Sequence, residues 1–191
     1  KAFRQSVRDE IAAPTTFRLF NGEWDKVHVV ECALPTNAAL EQLTVADIAK
    51  AQARDPLDVM LDLALAENLQ TVFTAQLLNS DADAVGRMLN HPNSIISLSD
   101  AGAHLTFFND AGFGLHLLGH WVRGLQAMSL QEAVRRLTSQ PASIFGMTDR
   151  GTIKEGMAAD LLLFDPTTVG RGPKRRVFDL PGGAARLTTD A

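Results

Sequence analysis

Segments with the pattern of a β-strand alternate with helical segments along most of this sequence. Residues 26–31 alternate apolar and polar side chains, residues 71–74 are rich in β-branched residues, and residues 94–100 form an apolar run that ends in Asp100. Helical segments separate these three strands. Because the order strand, helix, strand, helix is typical of parallel βαβ units, we expect an α/β fold with a parallel sheet.

Helix-start signals locate the helices. Thr44, with Asp47 as its capping partner, is expected to begin one helix, and Pro56 is expected at the first position of the next. In that second helix the apolar side chains at helical spacing are Leu57, Met60, Leu61, Ala64 and Leu65. Further helices are predicted over residues 83–89, 113–121 and 129–139, and the last of these begins with an S-x-x-E capping box.

The composition is that of a globular chain and argues against some partners. Of the 191 residues, 46% are hydrophobic and 21% are charged, and the formal net charge is -4. This charge argues against nucleic acid as a partner, and the one basic run, residues 174–176, is expected to be a solvated loop. No apolar run is long enough to span a membrane. A single cysteine, Cys32, allows no internal disulfide and suits a reducing compartment, so a cytoplasmic location is predicted.

The character of the chain changes after Pro141. Residues 150–160 are rich in turn-forming residues, and residues 161–164 (LLLF) are expected to form a short buried strand. This tail is predicted to belong to a β-structured unit distinct from the preceding α/β part. The N-terminus has neither an initiator Met nor an apolar signal core, and both ends are expected to be cuts inside a longer polypeptide.

Two motifs in a fixed order carry a family resemblance. Residues 97–104 (SLSDAGAH) place a carboxylate at the predicted end of a buried strand, where barrel enzymes place catalytic groups. Residues 151–165 (GTIKEGMAADLLLFD) resemble the G-x-I-x-x-G-x-x-A-D-L segment of the small β-sandwich that flanks amidohydrolase barrels. Between them, residues 130–142 end in Thr-Ser-Gln-Pro-Ala, which resembles the helix after the last barrel strand in N-acyl-D-amino-acid deacylases. The chain therefore resembles metal-dependent amidohydrolases, and their deacylase branch in particular.

The resemblance implies a fold and an incomplete site. Residues 1–145 would be the C-terminal part of a (β/α)8 TIM barrel of the metallo-dependent hydrolase type, and residues 146–191 part of the small β-sandwich domain. The paired His-x-His that the family carries on its first strand is absent from this sequence. Because a catalytic zinc needs about three protein ligands, most ligands are expected outside this chain, and the chain alone is expected to be inactive. The N-terminal remainder of the enzyme, or a second copy of the chain, is the expected partner.

The resemblance also implies a chemistry for Asp100. Enzymes of this family bind one or two divalent metals, usually zinc, and hydrolyse N-acyl-D-amino acids to a D-amino acid and a carboxylate. The resemblance implies that Asp100 is both a metal ligand and the base that takes a proton from metal-bound water and passes it to the leaving amine. The alternative is an Asp that begins a turn, which the sequence Asp-Ala-Gly supports.

Three histidines are candidates for substrate binding. His104 lies in the loop after Asp100, where the alternative is a histidine bonded to the backbone. His116 and His120 share a helix face at the spacing of the zinc motif H-E-x-x-H, but Leu117 replaces its glutamate. We therefore expect these two histidines to line a substrate pocket or to pack. Cys32, which could suggest the metal-bridging cysteine of some deacylases, is expected to be a core thiol.

Two other functions stay open. A cyclic-amide hydrolase of the same fold would act on a hydantoin, a dihydropyrimidine or dihydroorotate, although the Thr-Ser-x-Pro-Ala ending and the long segment 103–124 favour a linear amide. A non-catalytic fragment or subunit that only binds is the third possibility.

Overall fold

The computed structural model describes residues 2–15, 17–97, 99–106, 109 and 111–189. The chain forms two compact units, Lys1–Ser80 and Asp81–Ala191. The domain boundary predicted at residues 145/146 falls inside the second unit.

In the first unit, the described residues form three α-helices, two 3-10 helices and two strands. Two 3-10 helices, Trp24–Lys26 and Pro35–Leu40, lie on either side of the first strand. The main elements are α1 (Ala2–Ala12), β1 (Val27–Glu31), α2 (Val45–Gln52), α3 (Pro56–Ala66) and β2 (Val72–Ala75).

Helices α2 and α3 begin where the sequence predicts. The Thr44 hydroxyl accepts a 3.0 Å hydrogen bond from the backbone N–H of Asp47 and donates to the Asp47 carboxylate at 2.8 Å. The Asp55 carboxylate accepts from the N–H of Asp58 at 3.1 Å, with Pro56 at the first helical position. Each cap satisfies a backbone donor that the first helical turn leaves unpaired.

Strands β1 and β2 pair antiparallel, which corrects the prediction of a parallel βαβ unit. Val27 lies opposite Ala75, and Val29 lies opposite Phe73. A parallel partner needs a crossover that returns the chain to the start of the first strand. Here two helices lie between the strands and pack against each other, and the chain re-enters from the end at which β1 finishes.

The core of the first unit lies between β1 and the helix pair. Its buried members are Val29, Ile48, Ala49, Val59 and Leu63, and Cys32, Leu40 and Phe73 pack against them. Cys32, which the sequence predicts as a buried core thiol, packs against this core but is only partly buried. The buried face of α3 differs from the predicted one: Val59 and Leu63 are buried with Leu57, while Leu65 is 61% exposed. The helical period was correct, but the packed face could not be inferred from the period alone.

In the second unit, the main elements that the described residues form are four α-helices, one π-helix and two strands. They are α4 (Ala82–Asn90), α5 (Phe113–His116) continuing into a π-helix (Leu117–Gly124), α6 (Leu130–Leu137), α7 (Ser139–Ile144), β3 (Lys174–Val177) and β4 (Arg186–Thr189). Strands β3 and β4 form an antiparallel pair, so the basic run 174–176 is a strand and not the expected loop. Throughout the described residues, no helix combines the length and apolar character that a bilayer crossing requires.

Two predicted strands are not formed. Residues 94–97, 99 and 100 have no strand structure, and residue 98 lies outside the described residues. Residues 161–164 are also irregular, and the side chains of Leu161, Leu162 and Leu163 are 70%, 80% and 98% exposed. Strands need neighbours that pair with their N–H and C=O groups. In the described part of the chain, neither segment has a strand beside it.

The core of the second unit joins the π-helix to α6. Its buried members are Leu117, Leu118, Met128 and Ala133, and Ile96, Phe164 and Val169 are among the side chains that pack against it. The glycine that opens the G-T-I motif has a packing role here. A Cβ on Gly151 would lie 2.6 Å from the Cβ of Ala142 in α7, and the φ of Gly151 is +90°. Only glycine satisfies both conditions.

Candidate active site

Asp100 and His104 lie in one exposed turn. Both have a left-handed backbone, with φ of 58° and 52°, and Gly102 between them has φ of 96°. Asp and His tolerate this conformation better than most residues. The expected position of Asp100 at the end of a strand is therefore wrong. The open cleft expected at Asp100 is not confirmed either, because Asp100 does not line the cavity of about 510 Å³ in the first unit or the cavity of about 260 Å³ beside α6 and α7. Its catalytic role stays a prediction.

The chain before this turn is held by Arg136 of α6, a side chain that is 2% exposed. Its two terminal guanidinium nitrogens donate to the backbone oxygens of Asn90, His91 and Ser94 and to the Ser94 hydroxyl, at 3.1–3.2 Å. The side-chain amide of Gln140 donates to the same Ser94 carbonyl at 3.0 Å. Ser94 is thereby fixed against α6 and α7.

The charge of Arg136 is balanced within its own helix. Its Nε donates to the Glu132 carboxylate at 2.6 Å, so all five N–H groups of the guanidinium are used. Glu132 also accepts two bonds from Arg135. Hydrogen bonds from Arg135, and then from Arg136, lower the pKa of Glu132 to about 2. The carboxylate is thus ionised at neutral pH. In the predicted capping box, the Ser129 hydroxyl accepts from the N–H of Glu132 at 3.2 Å as expected, while the Glu132 side chain binds the arginines.

The chain after the turn is held by the β3–β4 pair. The carbonyl of Leu105 accepts a 2.8 Å bond from the N–H of Leu187 in β4. The carbonyl of Thr106 accepts a 2.8 Å bond from Arg176 in β3. The turn that carries Asp100 and His104 therefore has structured contacts on both sides.

His116 and His120 lie together where α5 becomes the π-helix. Their rings stack with centroids 4.7 Å apart and planes 13° apart, and the ring of His120 is nearly perpendicular to that of Trp121, with centroids 5.3 Å apart. His116 is half-buried and His120 is exposed. π-Helical turns occur frequently at functional sites. The structure thus brings the four predicted residues together as two pairs, one in the turn and one on this helix.

The residues present do not make a complete metal site. Across the described ranges, there is no group of three or more His, Cys, Asp or Glu side chains that could hold a metal ion. A catalytic zinc needs about three protein ligands. Cys32 is also poorly suited to bind metal, because burial, with Glu67 and Glu41 nearby, raises the pKa of its thiol to about 11.

The sequence does not single out Arg136 or Arg176 as side chains that hold the backbone on either side of this turn. Arg136 follows Glu132 at the i,i+4 spacing of a helical ion pair, and that spacing was the available signal. It gave no sign that Arg136 is buried while Arg135 faces solvent. Arg176 lies in the basic run 174–176, which the sequence predicts as a solvated loop, and a run of charged residues gives no signal of a strand.

Comparison with known proteins supplies the family. A profile of the Amidohydrolase family matches residues 4–187. An uncharacterized protein of Mycobacterium tuberculosis is 29% identical in an alignment 183 residues long that covers 85% of this chain and 29% of that protein. N-acyl-D-glutamate deacylase of Alcaligenes xylosoxydans xylosoxydans is 32% identical over 93 residues, 47% of this chain and 18% of the deacylase. The dihydroorotase of Endomicrobium trichonymphae is 47% identical over 38 residues, 20% of this chain and 9% of the dihydroorotase.

The chain belongs to the amidohydrolase family, as its motifs predict. It spans about 29% of the length of the mycobacterial relative. A crystal structure of N-acyl-D-glutamate deacylase from Bordetella bronchiseptica, complexed with zinc and a phosphonate inhibitor, is 26% identical and covers 78% of this chain and 30% of that one. The TM-score of 0.42 is too low for this overlay to assign individual elements.

Proposed function

We propose that this chain is the C-terminal part of an amidohydrolase that cleaves the amide bond of N-acyl-D-amino acids. The supporting observation is that the family match over residues 4–187 is joined by similarity to N-acyl-D-glutamate deacylase over 47% of the chain. In the complete enzyme, residues 1–145 would complete a (β/α)8 barrel and residues 146–191 would join a small β-sandwich. The described strands form only two antiparallel pairs, so this completion requires the rest of the polypeptide.

In this proposal Asp100 is the general base and then the general acid. Its carboxylate takes a proton from the attacking water while the water oxygen bonds to the acyl carbon. It returns the proton to the nitrogen as the C–N bond breaks, so that a carboxylate and a free D-amino acid leave. An exposed, acceptor-only carboxylate can do this once substrate covers it. His104, His116 and His120 are proposed to contact the substrate, since an imidazole N–H group can donate a hydrogen bond to a carboxylate.

A divalent metal, proposed to be zinc, would belong to the complete enzyme. The described residues do not hold one by themselves, so most of its ligands must come from elsewhere in the polypeptide. Zinc is present in the Bordetella N-acyl-D-glutamate deacylase.

The proposed partner is the remainder of the enzyme, or failing that a second copy. Large apolar side chains are exposed in each unit, among them Phe17 at 78% and Leu163 at 98%. Such surface generally marks an interface. Sedimentation of the 191-residue chain at micromolar concentration tests the proposal, because a strictly monomeric chain without dye-binding apolar surface contradicts it. The cytoplasm is the proposed location, on the strength of the single cysteine.

A cyclic-amide hydrolase is the second candidate, favoured by the 47% identity to dihydroorotase over 38 residues. A binding unit without catalysis is the third, because the described residues lack a metal-binding group.

The test uses the full-length polypeptide that contains this chain, loaded with zinc. N-acetyl derivatives of D-glutamate, D-aspartate and D-leucine are assayed for released amine, with the L-enantiomers as controls, and dihydroorotate and hydantoin are assayed for ring opening. Release of amine from the D-substrates supports the deacylase, and ring opening alone supports the cyclic-amide hydrolase. If the polypeptide shows neither activity, the binding unit without catalysis is supported. Asp100→Asn should lower kcat by on the order of 10², with Asp83→Asn, on exposed α4, as the control.

A further inference from the structure

We propose that Arg136 and Arg176 are positioning residues that hold the two ends of the turn carrying Asp100 and His104. This inference rests on the proposed catalytic role of Asp100. It adds to that role two side chains that act from outside the turn.

The first anchor is the buried guanidinium of Arg136. Its fork reaches three backbone carbonyls, those of Asn90, His91 and Ser94, and a planar group with five donors imposes one geometry on all of them. Two residues beyond Ser94, Ile96 packs against the core formed by the π-helix and α6. The approach to Asp100 is therefore fixed by polar bonds at one residue and by apolar packing two residues later.

The second anchor is the β3–β4 pair. Arg176 and the N–H of Leu187 donate to consecutive carbonyls, those of Thr106 and Leu105. With a backbone group held on each side, Asp100 and His104 lose conformational freedom before substrate binds. A carboxylate that must meet a water and a leaving amine in succession benefits from this restriction.

Two neighbouring arginines are matched controls. Arg135 adjoins Arg136, shares its partner Glu132 and is exposed. Arg175 adjoins Arg176 on β3 and is exposed. Methionine substitutions at the four positions remove one charge each while keeping an unbranched chain, and Arg136→Lys restores the charge without the fork.

The full-length enzyme is assayed for kcat and KM, and amide hydrogen exchange is followed in peptides that cover residues 97–104. Arg136→Met and Arg176→Met should lower kcat roughly tenfold to a hundredfold with little change in KM, because the base is misplaced while the substrate still binds. Both should accelerate exchange in these peptides, the controls should do neither, and Arg136→Lys should recover part of kcat.

Equal kcat in the Arg136 and Arg176 variants and their controls would overturn the inference, as would faster exchange with unchanged kcat. If Arg136→Met fails to fold, Arg176→Met decides, since its side chain is only half-buried. If the unsubstituted enzyme hydrolyses no substrate, the proposed function fails. Exchange in the same variants then decides whether the anchors hold the turn.

Discussion

The carboxylate of Glu67 accepts a 2.6 Å hydrogen bond from the hydroxyl of Thr71, four residues further along the chain. It also accepts bonds of 3.0 Å and 3.2 Å from the N–H groups of Ala33 and Leu34, and one of 2.9 Å from the side-chain amide of Asn37. Glu67 is 1% exposed, and these four donors are neutral. A single buried charge therefore joins the end of α3 to the segments that follow β1 and precede β2.

Replacing Glu67 with Gln should destabilise the first unit. The substitution keeps the shape of the side chain but turns an N–H₂ group toward two of the donors. Buried donors are then left without an acceptor, which should cost about 1–3 kcal/mol of unfolding free energy. The free energy of unfolding in urea measures the loss. Glu10→Gln on exposed α1 is the control, expected within about 0.5 kcal/mol of the unsubstituted chain. A Glu67→Gln chain as stable as this control would contradict the bonding described.

The carboxylate of Glu67 should also make the stability of the first unit depend on pH. Burial raises the pKa of Glu67, but hydrogen bonds from Thr71, Asn37, Ala33 and Leu34 outweigh it and lower the pKa from 4.5 to about 2. The folded state binds the Glu67 proton less tightly than the unfolded state does. The carboxylate's contribution to the free energy of unfolding is therefore complete above the pKa that Glu67 has in the unfolded chain, and it is lost as the pH falls through the pKa that Glu67 has in the folded chain. Urea midpoints of the unsubstituted chain and Glu67→Gln should therefore converge between about pH 5 and pH 2. A constant difference across that window would refute this assignment.

Cys32 should react slowly in the folded chain. Burial, then the charges of Glu67 and Glu41, raise the pKa of its thiol to about 11, so little thiolate exists at neutral pH. Alkylation by iodoacetamide at pH 7 should be slower than that of glutathione by on the order of 100-fold. Urea should abolish the difference. Equal rates in the folded chain would mean that Cys32 is not held against the core.

Gly119 should tolerate no side chain. A Cβ there would lie 2.9 Å from the Cα of Gly170 and 3.0 Å from the carbonyl oxygen of Val169, and both are backbone atoms. Gly119→Ala should cost about 1–3 kcal/mol of unfolding free energy. Gly124→Ala, in the same π-helix, is the matched control, because its Cβ would meet only an oxygen at 3.5 Å. Similar thermal midpoints for the two variants would show that the segment around Gly170 does not lie against this helix.

Features set by neighbours in the sequence could be predicted, and those set by distant partners could not. Thr44 caps α2 as expected because the donor it satisfies is only three residues away. The apolar run at residues 161–163 could not be placed, since an identical run is a buried strand beside partners and an exposed segment without them. The motifs gave the family correctly. Within the candidate site, the motif singles out Asp100 as the candidate catalytic residue. The left-handed backbone of its turn could not be predicted, because it depends on contacts with residues distant in the sequence.

The contact between Arg176 and Thr106 spans 70 residues of sequence. A ribosome adding about 5–20 residues per second needs several seconds to cover that distance. During this time the nascent chain already contains Asp100, yet the donors that fix one side of its turn have not been made. The turn can therefore reach its final form only after β3 and β4 have been synthesised. A chain whose translation stops between α7 and β3 carries its proposed catalytic carboxylate on a turn that is held on one side alone.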